Sequence, residues 1–216
     1  MSKKLIIVSP CYNEEAVILE STKTLRSIVD DLISENLIKN DSCILLVDDG
    51  SKDGTWRLIE KLHVRNSSKY KAIKLSKNKG HQIALYAGMM EAYKMKADYV
   101  ITIDIDLQDD TNLIKTMLKN ASNGINIVYS VKSNRADSFF KRKVSDIYYK
   151  MLNLIGIDNI PNHADYRLVD RRILEQLSIT EEKNLYLRGL IKEFGFNYTT
   201  IKNEVKKRNY GYSKYT

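Results

Sequence analysis

Cysteine is scarce. Cys11 and Cys43 are the only two in 216 residues, too few for the disulfide framework that staples small secreted domains. Each adjoins an apolar run. If those runs are neighbouring parallel strands, Cys11 closes one and Cys43 opens the other, which puts the sulfurs at opposite ends of a sheet and out of bonding range. Reduced thiols and a cytoplasmic location are the expectation. Also missing is any run of about eighteen uninterrupted apolar residues, the length that marks a membrane-spanning helix. The opening "MSKKLIIVSPCYNEE" pairs basic with apolar residues as a signal peptide does, but its apolar part is short and runs straight into Pro10 and acids, so it reads as a first strand. There is no zinc-finger spacing, RNA-binding aromatic signature, internal repeat, low-complexity segment or linker, and nucleic acid is therefore not an expected partner. His81 and His163 lack metal-ligand spacing and read as hydrogen-bonding loop residues.

What is present fits one ordinary domain. The 43% of hydrophobic residues beside 29% charged ones is globular composition, and the length suffices to bury a core. A formal net charge of +8 permits nucleic acid, an anionic membrane or phosphorylated ligands as partners. Its distribution is uneven: Lys and Arg gather in "KSNRADSFFKRK" (132–143) and "KNEVKKRNYGYSK" (202–214), whereas acids gather in the first half.

That first half alternates strand and helix. Runs of Val, Ile and Leu predict strands at about 4–9, 43–48, 71–75 and 98–104. Between them, Leu25, Ile28, Val29, Leu32 and Ile33 recur at helical spacing with Asn13 as a candidate cap, and 80–93 carries Ala84, Ala87 and Gly88, small enough to pack closely on a sheet. Nearly continuous apolar strands separated by helices imply an α/β domain with a mostly parallel central sheet flanked by helices. A strand near 125–131, a helix with Phe140, Val144, Ile147, Tyr148, Met151, Leu152 and Ile155 on one face, two shorter helices and a strand near 196–205 complete the reading.

In such sheets ligands bind beyond the carboxyl ends of the strands. The four ends are polar: "SPCYNEE", "VDDGSKDGT", "LSKNKGH" and "IDIDLQDD". Carboxylates crowded as in the last raise one another's pKa, so the cluster is unfavourable unless a cation joins it. Asp104 and Asp106, two apart at a strand end, project to one side while Ile103 and Ile105 turn to the other. Paired oxygen donors suit Mg²⁺ or Mn²⁺, which keeps open positions for phosphate oxygens and stabilises a departing diphosphate. Asp48 and Asp49 can accept hydrogen bonds from a base or ribose hydroxyl, although Asp-Gly is first a turn signal.

The ordered set "PCYNEE", "VDDGSKDGT", "NKGHQIALYAG", "DIDLQDD" and "ADYRLVDRR" resembles the family 2 glycosyltransferases of GT-A fold, and among them the polyprenyl-phosphate glycosyltransferases that include dolichyl-phosphate mannosyltransferase. The resemblance runs from Pro10 to Lys214. It implies a single GT-A (Rossmann-like) domain, with a nucleotide-sugar-binding half over about 1–110 and an acceptor-binding half with a basic C-terminal segment over about 111–216. Pro10, Tyr12, Asn13 and Glu14 match the first nucleotide-binding segment and Asp48 and Asp49 the second. Asp104 and Asp106 match the DxD that holds metal and diphosphate, followed by Gln108. Asp165 and Arg167 match a stretch lining the acceptor side, and Arg208, Ser213 and Lys214 match a basic segment that faces donor phosphates. Lys132 stands where the subfamily usually has arginine, keeping the charge without the bidentate fork, with Arg135 nearby. Asp110 and Thr111 replace the usual proline after the acidic motif.

The implied reaction is inverting sugar transfer from a UDP- or GDP-sugar to a polyprenyl (undecaprenyl or dolichyl) phosphate in cell-envelope glycan synthesis. Lys132, Arg135 and Arg167 then hold the acceptor phosphate, and metal on Asp106 stabilises the leaving group. The place of action is the inner face of the cytoplasmic membrane. Members of the group often continue into transmembrane helices after the matching "SKY". Either such helices follow Thr216, or attachment is peripheral through Lys and Arg, each worth about 1 kcal/mol near an anionic leaflet. With a saccharide or protein hydroxyl as acceptor, Asp165 is the candidate base, and Asp165→Asn should separate the two cases. A receiver-like phosphoacceptor domain is the distant alternative, since "ILLVDDGS" resembles its paired acids, but a whole strand and helix precede that stretch here.

Overall fold

A computed structural model describes residues 2–133, 163–181 and 186–205. The described strands are β1 (Leu5–Cys11), β2 (Cys43–Asp48), β3 (Tyr70–Lys74), β4 (Tyr99–Thr102), β5 (Ile127–Lys132), β6 (His163–Asp170) and β7 (Tyr198–Asn203). The helices are α1 (Ile18–Ser34), α2 (Thr55–Arg65), α3 (His81–Lys94), α4 (Leu113–Ser122), α5 (Arg171–Ile179) and α6 (Leu187–Glu193). The strands form one sheet in the order β3-β2-β1-β4-β6-β5-β7. β1 to β4 are mutually parallel, β7 is parallel to β5, and β6 runs antiparallel between β4 and β5.

Alternation along the strands divides the core into two layers. Leu5 and Ile7 of β1, Ile44 and Leu46 of β2 and Ile101 of β4 pack under α1, α2 and α4. Ile6, Val8, Leu45, Val47 and Val100 turn the other way, toward α3, α5 and α6. Both faces of the sheet are thus covered, the reason its strands read as unbroken apolar runs.

α3 lies on the sheet without a side chain at Gly88. A Cβ there would stand 2.4 Å from Val8 Cγ1 and 2.9 Å from Val47 Cγ2, and both valines are fully buried. Gly88→Val is therefore expected to lower stability by about 3 kcal/mol through overpacking, read as a lower urea midpoint at unchanged slope.

Three expectations need correction. The strand placed at 98–104 ends at Thr102, because after Ile103 donates to Val8 O at 3.1 Å the chain turns away to form the acidic loop. Asn13 does not cap α1, whose first turn has no side-chain cap; it sits in the left-handed region at φ 53°. And His163, read as a loop residue, opens a central strand, β6. The two cysteines are free and buried, with Cys43 beside Ile6 and Cys11 beside Asp48, at opposite ends as expected. The helix expected around 140–155 lies outside the described residues, as do Arg135, Arg208, Ser213 and Lys214. Among the described residues no helix is long and apolar enough to cross a membrane.

Candidate active site

Because β1 to β4 run parallel, their carboxyl ends meet on one rim, where a cleft of about 590 Å³ opens. β1 contributes Pro10, Tyr12 and Glu14, β2 contributes Asp49, and the loop into α3 contributes Asn78, Gly80 and His81. Asp104, Asp106 and Gln108 follow β4, and Lys132 closes the set from the end of β5. The sheet thus brings together the ends that the sequence singled out.

The loops after β1 and β2 are stitched to each other. Asn13 N–H donates to Ser51 Oγ at 2.9 Å and Glu14 N–H to Thr55 Oγ1 at 2.8 Å. In return Lys52 N–H donates to Asn13 Oδ1 at 2.8 Å and Gly54 N–H to Glu15 Oε2 at 2.9 Å. Asn13 therefore acts here as a cross-link between loops. Asp49 is anchored too: its two oxygens accept from Lys79 N–H at 2.7 Å and Gly80 N–H at 3.0 Å, which fixes the entry to α3. Asp48 is fully buried; its Oδ1 accepts from Ser51 N–H at 3.3 Å, while its Oδ2 has no hydrogen-bond partner among the described residues.

The loop after β4 carries the cluster of acids. Ile103 and Ile105 are buried, whereas Asp104 is half exposed at 52%, so the alternation expected for a strand persists beyond its end. Partial loss of hydration within the mouth pushes the Asp104 carboxyl up; His81 opposes this and Asp106, Asp109 and Asp165 add to it. Asp106 Oδ2 accepts from Gln108 Nε2 at 2.9 Å. Among the described residues no group of three or more His, Cys, Asp or Glu side chains is arranged to hold a metal ion alone. Two carboxylates that repel in a solvent-facing mouth do fit a hard divalent ion completed by phosphate oxygens and water.

Behind His81, which lines the cleft, stands an ion-pair network centred on Asp165. Arg188 Nε donates to its Oδ1 at 3.0 Å and Arg188 Nη2 to its Oδ2 at 2.8 Å. Arg167 Nη2 also donates to Oδ1, Gln82 Nε2 donates to Oδ2 at 3.1 Å, and His81 Nε2 lies 3.4 Å from Oδ2. Burial alone raises a carboxyl's pKa, but the hydrogen bonds from His81 and Arg188 and the charge of Arg167 hold Asp165 well below the usual carboxylate range. Such a group is a poor base. His81 also reaches toward the acidic loop, with Nε2 3.6 Å from Asp104 Oδ1. Burial lowers its pKa, yet Asp165 and Asp104 outweigh that and leave it raised.

Arg167, expected at the acceptor phosphate, is instead 1% exposed. Its guanidinium lies over the Tyr129 ring, 5.8 Å from the centroid, and pairs with Asp165. The cation that faces outward is Arg188, with 38% of its side chain exposed. Nothing set Arg188 apart in the sequence, since an arginine on a seven-residue helix looks like any solvated charge, and His81 read as a hydrogen-bonding loop residue whose partners, Asp104 and Asp165, come from elsewhere in the chain.

Residues 6–178 match the family model described as Glycosyl transferase family 2. This chain belongs to glycosyl transferase family 2. Among curated relatives, the uncharacterized glycosyltransferase YkoT of Bacillus subtilis (strain 168) is 47% identical over 212 residues, which is 98% of this chain and 62% of that protein. The bactoprenol glucosyl transferase of Shigella phage SfV is 31% identical over 214 residues, 98% of this chain and 66% of that one. The chain thus spans a little under two thirds of the length of these relatives. Among solved structures, the mannosyltransferase PcManGT of Pyrobaculum calidifontis, in complex with GDP-Man and Mn²⁺, superimposes with a TM-score of 0.62 at 17% identity, over 97% of this chain and 59% of that one. Glucosyl-3-phosphoglycerate synthase of Mycobacterium tuberculosis, with Mn²⁺, UDP and glucosyl-3-phosphoglycerate, does so with a TM-score of 0.55 at 16% identity, over 95% and 73%. The fold of this chain is GT-A, a single α/β domain.

Proposed function

We propose that the chain transfers a sugar, with inversion, from a nucleotide-sugar to the phosphate of a polyprenyl phosphate. The observation that carries the choice of acceptor is the state of Asp165: the carboxylate nominated as base for a hydroxyl is tied to two guanidinium groups, which with His81 hold it well below the usual carboxylate range and leave it a poor base. A phosphate acceptor needs no such base, since its second pKa of about 6 leaves it largely dianionic at neutral pH. Relatives named bactoprenol glucosyl transferases support the same reading.

In this scheme an acceptor phosphate oxygen attacks the anomeric carbon as the bond to the nucleoside diphosphate breaks, and the bonding pair leaves with the diphosphate. Asp104 and Asp106 are the residues to hold Mg²⁺ or Mn²⁺, which when bound screens the charge that builds on the diphosphate. Lys132, in the cleft wall, and the exposed face of Arg188 orient the acceptor phosphate. Pro10, Tyr12, Glu14 and Asp49 frame the nucleotide, and Asn13 and Asp48 fix the loops around it. Arg135, Arg208, Ser213 and Lys214, together with attachment to an anionic membrane surface, belong to the same proposal.

Thermal-shift screening of UDP, GDP and their sugars without metal and with Mg²⁺ or Mn²⁺ tests it. A ligand at about 100 times its Kd adds about 2.7 kcal/mol to stability. For a domain of this size that raises Tm by roughly 5–10 °C. The matching nucleotide is expected to give that rise only with metal, and the purified chain is expected to label undecaprenyl phosphate from the matching sugar. No response to either nucleotide with either metal removes the proposal.

A further inference from the structure

The acidic loop has little backbone bonding of its own. After Asp104 it passes through Leu107, left-handed at φ 48°, and its internal bond from Leu107 N–H to Asp104 O is long, at 3.2 Å. Its far end is held by side chains, and chiefly by one from the edge of the sheet. Asn203, the last residue of β7, is fully buried. Its Nδ2 donates to Asp109 Oδ1 at 2.6 Å and its Oδ1 accepts from Asp110 N–H at 3.1 Å, so both halves of the carboxamide are used on consecutive residues. Its carbonyl accepts from Ser133 N–H at 3.0 Å and from Ser133 Oγ at 3.2 Å. In register with it on β5 is Lys132, the cleft-lining cation. Tyr166 of β6 adds a bond from its hydroxyl to Asp110 O at 3.2 Å.

We infer that Asn203 is a positioning residue of the donor site: its carboxamide fixes Asp109 and Asp110, and through them the turn that presents Asp106 and Gln108 opposite Lys132. The link to donor binding rests on the proposed function; the anchoring of the loop does not. The geometry suits an amide, because Asp109 takes a donor and the Asp110 N–H, one residue on, takes an acceptor, and the two ends of one carboxamide supply both. An aspartate there has the same shape and still accepts from Asp110, but faces the Asp109 carboxylate with a like charge.

The test uses Asn203→Asp and the swapped pair Asn203→Asp with Asp109→Asn, which restores a donor and an acceptor in reversed positions. Hydrogen exchange is followed by peptide in the unliganded chain, and UDP and GDP binding is measured by calorimetry with and without Mn²⁺. In Asn203→Asp, amides over 104–110 are expected to exchange at least tenfold faster while those of α1 and β2 do not change. The metal-dependent gain in nucleotide affinity is expected to fall about tenfold with metal-free binding unaltered, a split that mere loss of stability does not produce. The swapped pair is expected to recover both, and keeps the test alive if the single variant folds poorly. Wild-type exchange in the loop of the single variant, or faster exchange with an intact metal effect, overturns the inference. A wild-type chain that ignores both nucleotides while its loop still responds to the substitution overturns the donor-site reading, and leaves Asn203 as the anchor of the loop.

Discussion

Asp165→Ala is expected to destabilise the domain by about 3–5 kcal/mol, because Arg167 then remains as a charge inside the protein without its anion. At this size the loss lowers Tm by about 10 °C or more, measurable by thermal or urea denaturation. Arg167 is 1% exposed and cannot turn out to water, and the nearby Tyr129 ring offers only a weak substitute for a carboxylate. Replacing both partners by apolar residues, Asp165→Leu with Arg167→Met, is expected to recover much of the loss, as apolar replacement of a buried pair often does. A fully stable Asp165→Ala variant would show that the pair is not what holds β6 between its neighbours.

The same pair predicts a pH dependence. A carboxyl whose pKa is depressed in the folded state binds protons more readily when unfolded, so its stabilisation is complete above the unfolded value of about 3.9 and is lost as pH falls toward the folded value. Asp165 is depressed, with burial outweighed by His81, Arg188 and Arg167. Wild type and Asp165→Ala are thus expected to differ fully at pH 7 and to converge in acid below about pH 4. Activity lost on Asp165→Asn consequently reports damage to the fold as much as loss of a base, and that substitution cannot by itself separate a hydroxyl acceptor from a phosphate.

Asp106→Asn is expected to cut kcat/KM for sugar transfer to undecaprenyl phosphate by about 100-fold or more, the scale set by removing a group that stabilises developing charge. The variant keeps the volume and a partner for Gln108 but gives up the charge that a divalent ion needs. Its stability is expected to match wild type, since the loop already carries repelling acids and loses one of them. Calorimetry should find the contribution of Mn²⁺ to nucleotide binding gone and the metal-free part intact. Transfer within a few-fold of wild type would remove Asp106 from the site.

The order of strands and helices in the first half was legible in the sequence because both faces of β1, β2 and β4 are covered, which demands unbroken apolar runs. The rim followed from it, since parallel strands deliver their carboxyl ends to one side, and Asp104, Asp106 and Asp49 fell on the cleft as their positions after those strands implied. β6 escaped because a central strand is expected to be apolar, and this one carries Asp165 and Arg167, whose charges cancel only against each other and against Arg188.

By itself, then, the sequence determined the α/β class, the family and the place where acids converge, all of which depend on local periodicity and the direction of strands. Only the tertiary structure decided what each charge does. Asp165 and Arg167 look like site residues until burial and pairing tie them into the fold, while His81, Arg188 and Asn203 look ordinary until residues distant in the chain come within hydrogen-bonding range of them. A side chain's chemistry is set by its type, but its pKa and its freedom to meet a ligand are set by neighbours that the chain supplies from elsewhere.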